Sequence, residues 1–256
     1  MQLTPEAYLQ AIQSDRVYLI AQGHEIPVHK ALLAFYSEYF ALILSQNNPV
    51  KSEDGKISLP NVSIATLKQY AYWTYQTPNF TFPGDAEIEQ LQESKTMLID
   101  LWIFGETYGV ARLQNEVMSA LCALLSTRPL LLAKADITAI FRRSPSSYSQ
   151  LRRLASLILV ARAQVKNSPV RIEEYDSPIF GGLTSMLYRS MHTWYTSVIP
   201  EKKKPKLPQL LQLQSVQSGL AVHEPEPENW VLRLCGISPA QAQCGTSKGE
   251  PIELDD

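Results

Sequence analysis

The sequence predicts an α+β fold, a small sheet flanked by a helical cluster and continued by a helical C-terminal extension. Three observations carry that class. Apolar residues alternate at period two on both sides of Gln22-Gly23, which predicts a hairpin. The spacing turns helical at Ala31, directly after the second strand, with no linker between them. Helical spacing then recurs over Met97–Phe104, Tyr108–Leu125, Ala135–Arg143, Leu151–Ala163 and Leu183–Val198, with Pro145, Pro169 and Pro178 in the connections.

In chain order, Thr4-Pro5-Glu6 supplies an N-cap, a proline at the first helical position and an acid in the first turn. A short amphipathic helix follows, with Tyr8, Leu9 and Ile12 as its apolar face. Val17–Ala21 reads as the first strand and Glu25–Val28 as its hairpin partner. From Ala31 to Leu44 few positions are polar, which predicts one helix buried on more than one side. Ser45–Gly55 holds Asn47, Asn48, Pro49 and Gly55 and reads as an exposed loop. Lys56–Pro60 alternates as a third strand, and Ser63 caps a helix that carries Leu67, Tyr70, Ala71, Trp73 and Tyr75. Thr77–Glu89, with Pro78, Pro83 and Gly84, is a loop with room for a short strand at Phe80–Phe82. The two helices after it are separated at Gly109. From Pro200 the composition shifts, with 7 of the 17 prolines in the last 57 residues, and a mostly disordered tail is expected there.

The stretch His24–Leu44 resembles the BTB/POZ domain at that family's signature. Pro27, Val28, His29 and Lys30 end the strand, and Ser37, Tyr39 and Phe40 follow without a gap. Ser14-Asp15 resembles the Ser-Asp that opens such domains, with Arg16 as one added residue. Trp73 and Tyr75 stand where the family has an aromatic Leu-Tyr, and Tyr108, Gly109, Val110, Leu113 and Asn115 are similar to the closing helical pair of many fungal members. The segment from Ile137 to Leu159 resembles the helical extension of single-domain fungal BTB proteins. The resemblance implies a BTB/POZ fold and a role in protein–protein interaction. The expected organisation is an amino-terminal helix over 1–13, the domain over 14–126, the helical extension over 127–199 and the tail over 200–256.

Composition narrows the function classes. The 256 residues are 45% hydrophobic and 19% charged, globular in balance, and a formal charge of −2 gives no general electrostatic case for direct nucleic-acid binding. Cys122, Cys235 and Cys244 are odd in number and at no metal-ligand spacing, which points to a reducing, intracellular setting, cytoplasmic or nuclear. The amino terminus lacks the basic and apolar regions of a secretory signal, and the apolar runs fall short of the ~20 residues that cross a bilayer. No membrane role is expected. His29 reads as a structural histidine whose ring bonds to backbone or to an acid such as Asp15. His24, His192 and His223 are scattered, no nucleophile has a recognisable setting, and Gly181-Gly182 follows no strand in a phosphate-loop pattern. No enzyme, cofactor or metal is expected. Arg142-Arg143 and Arg152-Arg153 read as solvated helix faces, because no aromatics interleave with them.

The resemblance sets the remaining expectations. A homodimer through the BTB surface is the leading one, with the amino-terminal helix Leu3–Ile12 and the exposed part of the central helix as its interface. In BTB adaptors of cullin-type ubiquitin ligases, the loop before the third strand holds an apolar-x-Glu motif. The matching positions here are Val50, Lys51 and Ser52, with Glu53 adjacent, so a carboxylate is displaced by about 3.5 Å in an extended loop. A cullin is thus an alternative partner. A nuclear transcriptional co-regulator is a second alternative. Lys202, Lys203, Lys204 and Lys206 fit a nuclear import signal by charge density and equally fit a solvated linker. The apolar run Trp230–Leu234 is a candidate segment for docking back or binding a partner.

Overall fold

The computed structural model describes residues 3–45, 55–76, 80, 87–163, 175, 178–196 and 220–224. They divide into two compact units, one holding the described residues up to Leu67 together with Glu224, the other those from Lys68 to His223. The fold is α+β, with, among the described residues, a three-stranded sheet accompanied by helices and continued by a helical extension.

In the first unit, α1 (Pro5–Ala11) starts as its sequence dictates, Thr4 Oγ1 accepting from the Ala7 amide at 3.2 Å. Its buried residues are Ala7 and Ala11; of the apolar face, Tyr8 and Ile12 are half-buried and Leu9 is 57% exposed. β1 (Arg16–Ala21) and β2 (His24–His29) pair antiparallel across Gln22-Gly23. Both turn residues have positive φ, +50° and +79°, the two left-handed positions of a tight hairpin turn that twists with its strands. β3 (Lys56–Ser58) lies parallel to β1, giving the order β2-β1-β3. β2 is therefore an edge strand, where Pro27 costs no ladder bond.

The expected single helix from Ala31 to Leu44 is two helices, α2 (Lys30–Tyr36) and α3 (Glu38–Leu44). Ser37 breaks it. Its backbone is extended (φ −141°, ψ 120°), and its Oγ accepts from the Phe40 amide at 3.1 Å as the N-cap of the new helix. α2 buries five consecutive residues, Ala31 to Phe35, whereas α3 buries Phe40, Ala41 and Leu44 and leaves Leu42 63% exposed.

The unit boundary falls within α4 (Ile64–Gln76), whose first turn Ser63 caps, Oγ accepting from the Thr66 amide at 3.1 Å. In the second unit, α5 (Ile88–Thr107) is 20 residues long and begins well before the expected Met97. α6 (Ala111–Thr127) follows across Gly109, whose φ of +63° reverses the chain. A short 3-10 turn, Pro129–Leu131, leads to α7 (Lys134–Arg143) and α8 (Gln150–Ala163), and a second, Pro178–Phe180, precedes α9 (Leu183–Thr196). The core of this unit is built on Tyr70, Trp73, Leu98, Leu101, Trp102, Leu113, Leu121, Phe141 and Ile158. Phe80 is not in a strand, and the rest of the expected Phe80–Phe82 strand lies outside the described residues.

Candidate interaction surface

The signature residues at the strand-to-helix junction hold the first unit together. His29, the last residue of β2, is 8% exposed, and its Nε2 accepts from Arg16 Nε at 3.3 Å. The hydrogen bond shown is thus to a cation. Burial first, and the Arg16 charge second, lower its pKa, so the ring stays neutral. α2 has no side-chain cap of its own at His29. Its amino end is satisfied by the preceding segment instead. Asp15 O accepts from the Lys30 amide at 2.8 Å and Ser14 Oγ from the Ala31 amide at 3.1 Å, while the Ser14 hydroxyl donates to Ala11 O at 2.8 Å. The Ser-Asp pair is therefore a remote cap that ties α1, β1 and α2 at one point. Tyr39 is 38% exposed and meets the buried Phe40 ring edge-on at 5.3 Å.

In the second unit, Trp73 Nε1 donates to Glu116 Oε2 at 2.6 Å, and the other carboxylate oxygen accepts from Arg112 Nε at 2.9 Å. Tyr75 is half-buried. Tyr108 closes α5 with its ring 4.7 Å from Phe104, which lies 4.4 Å from Tyr70. These residues, with Gly109, act through packing and turn geometry.

Apolar groups left in solvent define the surface. In the first unit these are Leu9 on α1, Leu42 and Tyr39 on α3, and Tyr18 on β1. The second unit exposes Tyr72, Ile88, Leu130, Tyr148 and Tyr188. Scattered exposed leucines need no explanation, but two short helices of one unit that each turn a leucine outward form a candidate for association.

One contact was not foreseen. Asn115, on α6, holds the backbone of Val222 from both sides. Its Nδ2 donates to Val222 O at 2.9 Å and its Oδ1 accepts from the Val222 amide at 2.7 Å, across 107 positions of sequence. Leu220, two residues earlier, is 1% exposed. An asparagine in a helix interior is disfavoured unless its amide has work elsewhere, and that was the only signal.

The charged groups correct another expectation. Arg152 is not on a solvated face. It is buried, with Nη2 donating to Phe141 O at 2.8 Å and Ser144 O at 2.9 Å, its guanidinium 5.2 Å from the Phe141 ring centroid. It thereby satisfies carbonyls at the end of α7. Arg143 is exposed and pairs with Asp100 at 2.6 Å, and Arg142 is exposed. Arg153 is half-buried, and burial lowers its pKa ahead of the nearby Arg189 charge. Glu106 is pushed up to about 7 by burial, against the Ser149 hydroxyl and the Arg152 charge. Burial raises Cys122 to about 12, which disfavours the thiolate. Among the described residues no group of His, Cys, Asp and Glu could hold a metal ion, and no helix is long and apolar enough to cross a membrane. Val50, Lys51, Ser52 and Glu53, the lysines at 202, 203, 204 and 206, the run Trp230–Leu234, Cys235 and Cys244 lie outside the described residues.

A small mixed sheet joined directly to a helix pair, with Ser-Asp capping from before the sheet and two longer helices after it, defines a class of interaction domain. The family description "BTB/POZ domain" matches residues 7–122, so that segment is similar to BTB/POZ domains, which are protein–protein interaction modules. No curated protein matches the chain.

Proposed function

We propose that the chain is a non-enzymatic, self-associating scaffold acting inside the cell, with its BTB domain over 14–126 and a helical extension over 127–199. The observation that carries this reading is the outward leucine on each of two short helices of the first unit, Leu9 on α1 and Leu42 on α3. Burying both against a second copy removes apolar surface from water at about 25 cal/mol per Å². It also lets a two-fold axis reuse one patch on both copies. Light scattering on the purified chain at tens of micromolar is expected to give a dimer mass, and Leu42→Asp a monomer mass. A wild-type chain that stays monomeric refutes the proposal. The adaptor role depends instead on residues 50–53, with Ser52 at the glutamate position. A pull-down with a cullin amino-terminal domain separates the two, and micromolar binding would replace the scaffold reading by the adaptor.

A further inference from the structure

We propose that the Asn115 face of α6 is a docking site for a short peptide, and that its resident ligand is the chain's own segment Leu220–His223, bound in cis. The recognition has two parts. The Asn115 amide gives and takes one hydrogen bond with a single residue, Val222, at 2.9 and 2.7 Å. This is the paired exchange by which one strand residue reads another, and it selects an extended backbone, not a particular side chain. Side-chain selection falls to Leu220, which is 1% exposed, whereas Ala221 and His223 are exposed. The ligand chemistry is therefore a segment that is extended at the residue whose amide and carbonyl are held and that carries a buried leucine, itself helical, two positions before it.

Two backbone bonds and one leucine make a weak ligand, with a Kd on the order of 100 µM as a free peptide. Tethered, the same segment acts at an effective concentration on the order of 1 mM, so the cis form outcompetes a free peptide about tenfold. The site is thus filled at rest and open to displacement by a better or locally concentrated peptide. This reading uses residues of α6 and none of the α1 and α3 leucines of the scaffold reading, so either can fail alone.

The test uses the full chain and a fluorescein-labelled peptide of sequence SGLAVHE, residues 218–224. Leu220→Asp releases the strap, and fluorescence anisotropy is expected to show that this variant binds the peptide about tenfold more tightly than the wild-type chain. Adding Asn115→Ala is expected to weaken that binding at least about tenfold, through the two lost bonds. Absence of binding by the Leu220→Asp chain at millimolar peptide overturns the proposal, as does binding indifferent to Asn115→Ala. If Leu220→Asp abolishes cooperative unfolding, Val222→Pro removes the donor while keeping the leucine and takes its place in the same titration. Hydrogen exchange gives an independent reading. The Val222 amide is expected to be protected in the wild-type chain and unprotected in Asn115→Ala, and an unprotected wild-type amide overturns the proposal. A dimer that dissolves on Leu220→Asp assigns the occupant to a second copy and overturns the cis form.

Discussion

Lys95 is a charged side chain in the interior of the second unit, 3% exposed, and its three ammonium protons face three acceptors. They are Gln92 Oε1 at 2.6 Å, Leu131 O at 3.1 Å and Asp136 Oδ2 at 2.6 Å, the last 17% exposed. Asp136 Oδ2 also accepts from the Ala133 amide at 2.7 Å, at the start of α7. Removing the carboxylate leaves a buried cation without its counter-charge, so Asp136→Ala should cost about 3 kcal/mol, the lower end of the range for a broken buried pair because the aspartate is partly solvated. Lys95→Met leaves a carboxylate that solvent and the Ala133 amide still reach, and should cost about 1 kcal/mol. The double variant replaces the pair with apolar groups, and should cost about 1–2 kcal/mol instead of the additive sum of about 4. Urea unfolding followed by tryptophan fluorescence measures all three, since Trp73 and Trp102 are buried in the same unit. Single costs that add to within about 0.5 kcal/mol, or an Asp136→Ala cost below about 1 kcal/mol, would refute the reasoning.

Glu106 ionises near pH 7 in the fold against 4.5 ordinarily, so the stability tied to its neutral form is full below about 4.5 and is lost as pH rises through about 7. Glu106→Gln should remove that loss, on the order of 1–2 kcal/mol after discounting for solvent, and thermal melts at pH 4 and 8 should show the variant gaining mainly at pH 8. A Cβ on Gly105 would lie 2.7 Å from the Cγ of buried Gln114 and 3.3 Å from Val110 O, so Gly105→Ala should destabilise by about 1–2 kcal/mol despite the better helix propensity. An unchanged urea midpoint would mean that Gln114 moves aside at no cost.

Local chemistry made much of the fold legible. The Gln22-Gly23 turn, the Thr4 and Ser63 caps and the Gly109 reversal are each determined by a residue and its nearest neighbours. The break at Ser37 had the same kind of signal, a serine three residues before the amide it caps, but a continuous apolar run outweighed it. What the sequence concealed depends on distant partners. The first turns of α5 look polar because Lys95 looks polar, yet Leu91, Lys95 and Leu98 form its buried stripe once Asp136 is present to accept from the ammonium. Leu9 and Leu42 have the spacing of core residues, and only the placement of neighbouring elements leaves them in solvent. Arg152 reads as a surface charge until the carbonyls at the end of α7 are counted.

These buried charges bear on what the helical extension is. Lys95, on α5 within the matched BTB segment, draws two of its three acceptors from Leu131 and Asp136, beyond that segment. Arg152, on α8, spends its donors on the end of α7. A chain ending with α6 would leave the Lys95 ammonium with Gln92 and whatever water could reach it, a cost that a detachable appendage would not impose. The polar contacts therefore make α7 part of the unit that α5 and α6 begin. The Asp136→Ala measurement decides that as well, because a small cost would return the extension to the status of an appendage.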